Sequence, residues 1–403
     1  MKLVKSLLLG SVAGLAAVAG AQAADLPAKK AAAVEYVRVC STYGAGFFYI
    51  PGTDTCLRVG GRVRAEYRYF EPDDRTDDTI GFRARGRIQL DARTATAYGL
   101  LRTFVRFEIT RDTGVYNSAP GAITQTPNVD QAFIQFGGLT AGRALTFFDN
   151  GDIDGQYFGT VRWSDQPNVN LLAYTFSFGN GFSATLSLEE GRFASRTGLE
   201  VGDELAGQRM PDVVANVKYA GTWGSVQLSG ALHQLRGLPF VLAATPGVVY
   251  EADTDYGYAI SAQANFNLPM LGASDAFWIA GTWTDGAPAY AGFGGAVEAT
   301  YDIDGTDADI DNARAWSVAA GLRHYWTPEL RQNVFGSYGR IDYSDVFGLA
   351  DLREWRVGTN VLWSPVSNLT LGAEVLYANT DLSGVDEDDN DRWEARLRVQ
   401  RDF

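Results

Sequence analysis

Polar and apolar residues alternate along most of this chain. From Leu57 to Tyr69 one face of an extended segment carries Leu57, Val59, Val63, Ala65, Tyr67 and Tyr69, and the other carries Arg58, Arg62, Arg64, Glu66 and Arg68. From Thr79 to Arg93, Ile80, Phe82, Ala84, Ile88 and Leu90 oppose Arg83, Arg85, Arg87, Gln89 and Asp91. From Tyr98 to Thr110, Leu101, Val105, Phe107 and Ile109 oppose Arg102, Arg106 and Glu108. The final stretch sets Trp393, Ala395, Leu397, Val399 and Phe403 against Arg392, Glu394, Arg396, Arg398 and Gln400. In a soluble sheet the charged face of such strands meets bulk water. In a membrane barrel the apolar face meets lipid and the charged face lines an aqueous lumen.

The rest of the chain repeats the pattern. Further strands are predicted near residues 130–137, 140–147, 169–179, 182–189, 213–220, 225–234, 256–267, 275–284, 314–324, 331–340, 352–363 and 368–378. With the four above they make sixteen. An even number suits a closed antiparallel transmembrane β-barrel, and closure is required because no open sheet edge can face lipid. The connections alternate between tight turns, such as Gly179-Asn-Gly181 and Ser364-Pro-Val-Ser367, and long acidic loops. The short turns are expected on the periplasmic side and the long loops outside the cell. Aromatic residues at strand ends, among them Tyr67, Tyr258, Trp283, Trp316, Trp363, Tyr377 and Trp393, suit two interfacial girdles.

The N-terminus sets the compartment. Lys2 and Lys5 precede an apolar run from Leu7, and Ala21-Gln-Ala23 offers a small-x-small cleavage site. The reading is a signal peptide over residues 1–23, a lead-in over 24–56, and the barrel over 57–403. No later segment offers the roughly twenty apolar residues of a helical membrane span. In an exported chain Cys40 and Cys56 are expected to form a disulfide closing a small aromatic loop.

Composition agrees with a glycine-rich, aromatic-rich all-β chain: Gly 45, aromatic residues 12%, charged residues 20%. A net charge of −14 argues against nucleic acid as partner. Enzyme chemistry finds little support, since His233 and His324 are the only histidines and both fall in predicted strands without a G-x-S-x-G context. The run Asp302 to Asp311 has a superficial likeness to a calcium loop, but Gly305 is misplaced and no Glu closes the frame. It and the run Asp386 to Asp391 are read as solvated loop surface, where divalent cations bridging to lipid phosphates are the sharper alternative. No metal or other cofactor is expected.

The stretch from Tyr36 to Gly61, with Ala24-Asp-Leu-Pro before it and the final Arg-Asp-Phe403, resembles the alphaproteobacterial general porins. The resemblance implies a homotrimer in the outer membrane, in contact with lipid and lipopolysaccharide. It also implies a third long loop folded into the lumen as a constriction, and a terminal Phe403 read by the barrel-assembly machinery. The loop from Phe147 to Asn168 occupies that place and carries Asp149, Asp152, Asp154 and Asp165. Opposite it, the mid-strand residues Arg62, Arg64, Arg85, Arg87, Arg102 and Arg106 are the expected basic side of a charged eyelet. The implied function is passive diffusion of small hydrophilic solutes and ions. The alternative, a channel selective for a sugar or an anion, would want aromatic residues along the lumen, and the inner faces read as charged.

Overall fold

The computed structural model describes residues 38–117, 119–191, 206–242, 244–343, 349–383 and 391–403. The predicted signal peptide and most of the acidic run at 386–391 lie outside the described residues. The barrel strands, numbered in chain order, are β1 (Cys56–Phe70), β2 (Ile80–Thr96), β3 (Gly99–Thr113), β4 (Ile123–Phe136), β5 (Leu139–Leu145), β6 (Asn168–Gly179), β7 (Phe182–Glu189) and β8 (Asp212–Gly221). They continue as β9 (Gly224–Arg236), β10 (Thr254–Asn267), β11 (Ala276–Asp285), β12 (Arg314–Tyr325), β13 (Leu330–Asp342), β14 (Leu352–Val366), β15 (Leu369–Leu382) and β16 (Asp391–Asp402). Each pairs antiparallel with its sequence neighbour, and β16 pairs with β1 from Arg62↔Asp402 to Phe70↔Glu394, which closes the sheet. All sixteen predicted strands are present.

The C-terminus completes the seam. Gly61 N–H donates to the Phe403 carbonyl at 2.9 Å and Phe403 N–H donates to the Gly61 carbonyl at 3.0 Å. The Phe403 ring lies over Gly61 so closely that a Cβ there would collide with it and with the Arg87 carbonyl. Glycine at 61 therefore lets the terminal ring rest on the wall.

Alternation sorts the two faces as the sequence implies. Val63, Ile88, Leu228 and Leu397 point outward and are each more than half exposed, whereas Glu66, Glu108, Gln227 and Glu394 point inward and are buried. Such an outer surface needs lipid, since soluble monomers rarely expose so continuous an apolar area. Ring pairs mark its two borders: Tyr258–Trp283, Trp316–Tyr338, Trp355–Tyr377 and Tyr377–Trp393 toward the long-loop rim, and Phe182–Tyr219, Tyr219–Trp223 and Trp223–Phe266 toward the turn rim. At the tight turns Asn180 and Asn368 adopt positive φ, the left-handed backbone that asparagine tolerates.

Two elements differ from expectation. β4 starts at Ile123 rather than near 130, and residues 123–129 are exposed on both faces. Their sequence, Ile-Thr-Gln-Thr-Pro-Asn-Val, carries no period-two contrast. The acidic run at 302–311 forms a hairpin, Ala299–Asp304 with Asp307–Asn312, turning at Gly305. Its inner side carries Tyr301, which packs 4.8 Å from Phe240, and Ala308, both buried. Among the described residues no group of three or more His, Cys, Asp or Glu side chains could hold a metal. Cys40 and Cys56 are disulfide-bonded, and with Phe47 they form a small buried cluster next to the start of β1.

Candidate functional site

Inward-facing residues on β16 and β1 to β4 make a basic wall. It carries thirteen arginines (58, 62, 64, 68, 83, 85, 87, 93, 102, 106, 392, 396 and 398) and seven carboxylates (Glu66, Asp91, Glu108, Asp112, Asp130, Glu394 and Asp402). Six positive charges are left over. The carboxylates hold the guanidinium groups in a ladder: Arg62 to Asp402 at 2.6 Å, Arg398 to Glu66 at 2.5 Å, Arg68 to Glu394 at 2.8 Å and Arg83 to Asp112 at 2.7 Å. Arg87 pairs with Glu108, Arg106 with Asp130 at 3.2 Å, and Arg102 with Asp91 at 3.0 Å.

The loop after β5 enters the barrel and lies against the opposite wall. At its root the Thr146 hydroxyl and the Phe147 N–H both donate to Glu189. Asn216 donates to the Phe147 carbonyl at 2.6 Å, and Asn150 N–H donates to Gln263 at 2.7 Å. Further along, Ile153, Val161 and Trp163 pack on Trp278, Phe335 and Leu376. At the tip, the N–H groups of Phe158 and Gly159 both donate to Glu374 at 2.6 Å, and Arg162 makes a two-pronged pair with Glu354 at 2.6 and 2.7 Å. The loop thus spans from β5 to β15 and touches β16, where Arg396 donates to the Phe158 carbonyl and Arg398 stands 3.7 Å over the Phe158 ring.

A second loop, between β11 and β12, folds in on top of it. The short helix Pro288–Ala291 is entirely buried, and Tyr290 packs 4.6 Å from Phe148 while its hydroxyl donates to Asp212 at 2.8 Å. Asp212 also holds His233 Nδ1 at 2.7 Å, and Glu298 lies 3.6 Å from Nε2. Arg162 donates to the Gly292 carbonyl at 2.9 Å and sits under the Phe293 ring. This buttress was not legible as such, because its residues read as part of one long loop.

The four loop carboxylates have different surroundings. Asp149 is buried, accepting from Gln263 and from Gln166 N–H at 2.8 Å each, and burial pushes its carboxyl up. Asp152 is half exposed; burial pushes its carboxyl up, but the Lys218 ammonium 2.7 Å away and the Ser225 hydroxyl together outweigh this and hold it low. Asp154, also half exposed, pairs with Arg323 at 2.9 Å; burial dominates and raises it. Asp165 accepts from the Tyr157 hydroxyl. The surrounding protein pushes its carboxyl up to about 7, with Asp149 adding to the effect, although part of its surface is open to the lumen. Cavities of about 430 and 550 Å³ lie in the lumen. The first borders the loop carbonyl side at Thr160 and is lined by Arg68, Glu354, Arg356 and Arg392; the second, toward the turn rim, is lined by Arg58, Arg102, Arg106 and Lys218.

A family model described as "Porin subfamily" matches residues 25–400. The chain is a porin. Porin Omp2b of Brucella suis is 32% identical to it over 436 residues, covering 99% of this chain and 100% of that protein. Among solved structures, the outer membrane channel DcaP of Acinetobacter baumannii superposes with a TM-score of 0.66 at 15% identity, covering 88% of this chain and 99% of the other. OmpT of Vibrio cholerae in its trimer form gives 0.52 at 11% identity, covering 87% of this chain and 100% of the other. At such identities the structures speak for the fold, and the family match and full-length relatives speak for function. The porin resides in the outer membrane and forms a passive diffusion pore.

Proposed function

We propose that the solute path narrows between the inward loop and the arginine wall, and that the charges facing each other there set what passes. The carrying observation is the register of β1 and β2. Arg62 stands directly opposite Arg87, and Arg64 directly opposite Arg85. Like charges at facing positions destabilise a sheet, so the ladder is a cost that structure alone does not require. A field across a water-filled gap, concentrated by low-dielectric walls, is what such an arrangement supplies.

On this reading Arg62, Arg64, Arg85 and Arg87 form the basic side at mid-strand, while Arg102 and Arg106 act below it, around the turn-side cavity. Asp152, Asp154 and Asp165 form the acidic side. Asp149 serves chiefly to fix the loop, since its oxygens are taken by Gln263 and Gln166. Anions keep to the wall, cations to the loop, and dipolar solutes cross oriented between them. The tight-turn rim is periplasmic, and the long acidic loops face outward near lipopolysaccharide. The chain is read as a homotrimer, supported by its porin relatives and by the trimer form of its structural neighbour OmpT.

Planar-bilayer recording under a salt gradient tests the reading. Stepwise closures in threes support the trimer, and Arg64→Gln with Arg85→Gln should move the reversal potential toward cations. An unmoved reversal potential would remove the eyelet assignment; absence of channels would remove the pore.

A further inference from the structure

The arginine wall is interleaved with inward-facing rings. Toward the long-loop rim, Arg68 lies 4.6 Å from the Phe70 ring and Arg83 lies 4.1 Å over Tyr116. At the inward loop Arg398 covers Phe158. On the turn side Arg102 lies 5.2 Å from Phe104 and 5.3 Å from Phe133, and these two rings are stacked 5.3 Å apart at 26°. Reading the inner faces as charged missed Phe104 and Phe133, which share the inward parity of Arg102, Arg106 and Gln135.

The turn-side cavity brings the two chemistries together. Phe104, Phe133 and Phe147 line one part of it, and Arg58, Arg102 and Lys218 another. Arg102 is held by Asp91 and Gln135, and Lys218 by Asp152. Arg58 has no carboxylate partner among the described residues, and its guanidinium lies 5.5 Å from the Phe47 ring. The cavity, about 550 Å³, is of the size that holds a small organic ligand.

We propose that this cavity is a transit subsite for small aromatic carboxylates, with Arg58 receiving the carboxylate and Phe133 and Phe147 receiving the ring. The inference rests on the pore reading and refines it from any small solute to a favoured class. Guanidinium groups already stacked on phenylalanine rings extend a surface on which a further planar ring can stack. In a wet lumen each contact is weak, which suits a site that must release what it binds.

The test compares acids of equal charge and similar size in one preparation of the full chain. Single-channel conductance in potassium chloride is recorded while sodium benzoate, sodium cyclohexanecarboxylate or sodium acetate is added. Benzoate should reduce the conductance at a concentration about three- to fivefold below cyclohexanecarboxylate, the size of effect one exposed ring contact gives, and acetate should be weakest. Phe133→Leu should bring the benzoate value toward that of cyclohexanecarboxylate, and Arg58→Gln should weaken both acids together. Equal block by benzoate and cyclohexanecarboxylate in the unaltered protein overturns the subsite, whatever the variants do. Loss of all channels in potassium chloride alone would instead overturn the pore reading.

Discussion

Arg64 and Arg85 face each other across β1 and β2, at positions where a sheet ordinarily sets unlike or neutral partners. Each finds a neutral or acidic neighbour at its flank: Arg64 donates to Gln400 at 2.9 Å, and Arg85 donates to the Thr110 hydroxyl at 3.1 Å with Glu108 at 3.7 Å. Among the described residues Arg64 has no carboxylate salt-bridge partner, and the only one of Arg85, Glu108, is the loose 3.7 Å contact. Replacing both by Gln is expected to leave the barrel folded and to stabilise it by about 0.2–1 kcal/mol, the usual scale of a facing pair. The chloride-to-potassium permeability ratio should fall several-fold. Heat-modifiability on gels and reversal potentials measure the two effects separately, and a less stable double variant would mean the arginines are held by more than these contacts.

Asp165 gives the channel a pH dependence near neutrality. Its carboxyl is pushed up to about 7, so it is mostly neutral at pH 6 and mostly charged at pH 8. Raising pH through 7 therefore adds negative charge on the loop side and should move the reversal potential toward cations. The stability sign is opposite. A carboxyl whose folded value is raised contributes stability fully present below its unfolded value, near 4, and lost as pH rises through about 7. Asp165→Asn should flatten the selectivity profile between pH 6 and 8 and the stability profile between about pH 4 and 7; a selectivity shift that persists in this variant would assign the titration elsewhere.

Arg162 clamps the tip of the inward loop. Its guanidinium takes both oxygens of Glu354 and reaches the Gly292 carbonyl, so it ties the loop to β14 and to the buttress at once. Arg162→Ala leaves Glu354 with Arg356 and the Thr380 hydroxyl, and should cost about 1.5–3 kcal/mol, the worth of hydrogen bonds to a charged group. A loosened loop should show as larger and noisier single-channel conductance. Unchanged noise with lowered thermal stability would mean the hydrophobic anchor of Trp163 on Trp278 holds the loop unaided.

Much of this was open to sequence reading for a physical reason. Wherever one strand face meets lipid and the other water, as at Val63 and Arg64 or Leu397 and Arg398, the contrast is enforced at every residue and the period shows. Where a strand carries no such contrast the signal vanishes, as from Ile123 to Val129 at the start of β4. The hairpin at Ala299–Asp304 carried a sign that acidic composition masked: Asp304-Gly305 between alternating Tyr301, Ile303, Ala308 and Ile310. The arginine side of the lumen followed from parity alone. The partners of the loop carboxylates did not, because Lys218 and Arg323 lie far along the chain and only the fold of the loop brings Asp152 and Asp154 to them.

Reduction of the Cys40–Cys56 disulfide isolates what the N-terminal loop contributes. The bond closes a loop of 16 residues' separation ahead of β1, and Cys56 is the first residue of that strand. Opening it should lower barrel stability by about 2–4 kcal/mol. Conductance should hold, since the carboxylates and the inward loop are anchored from β5 to β15, away from this cluster. A change in selectivity on reduction would mean that Arg58 and Arg93, which lie against the Phe47 ring at 5.5 and 5.0 Å, are positioned by the loop. That outcome would in turn predict weaker block by carboxylates in the reduced protein, because among the described residues Arg58 is the cation of the turn-side cavity that no carboxylate holds in place.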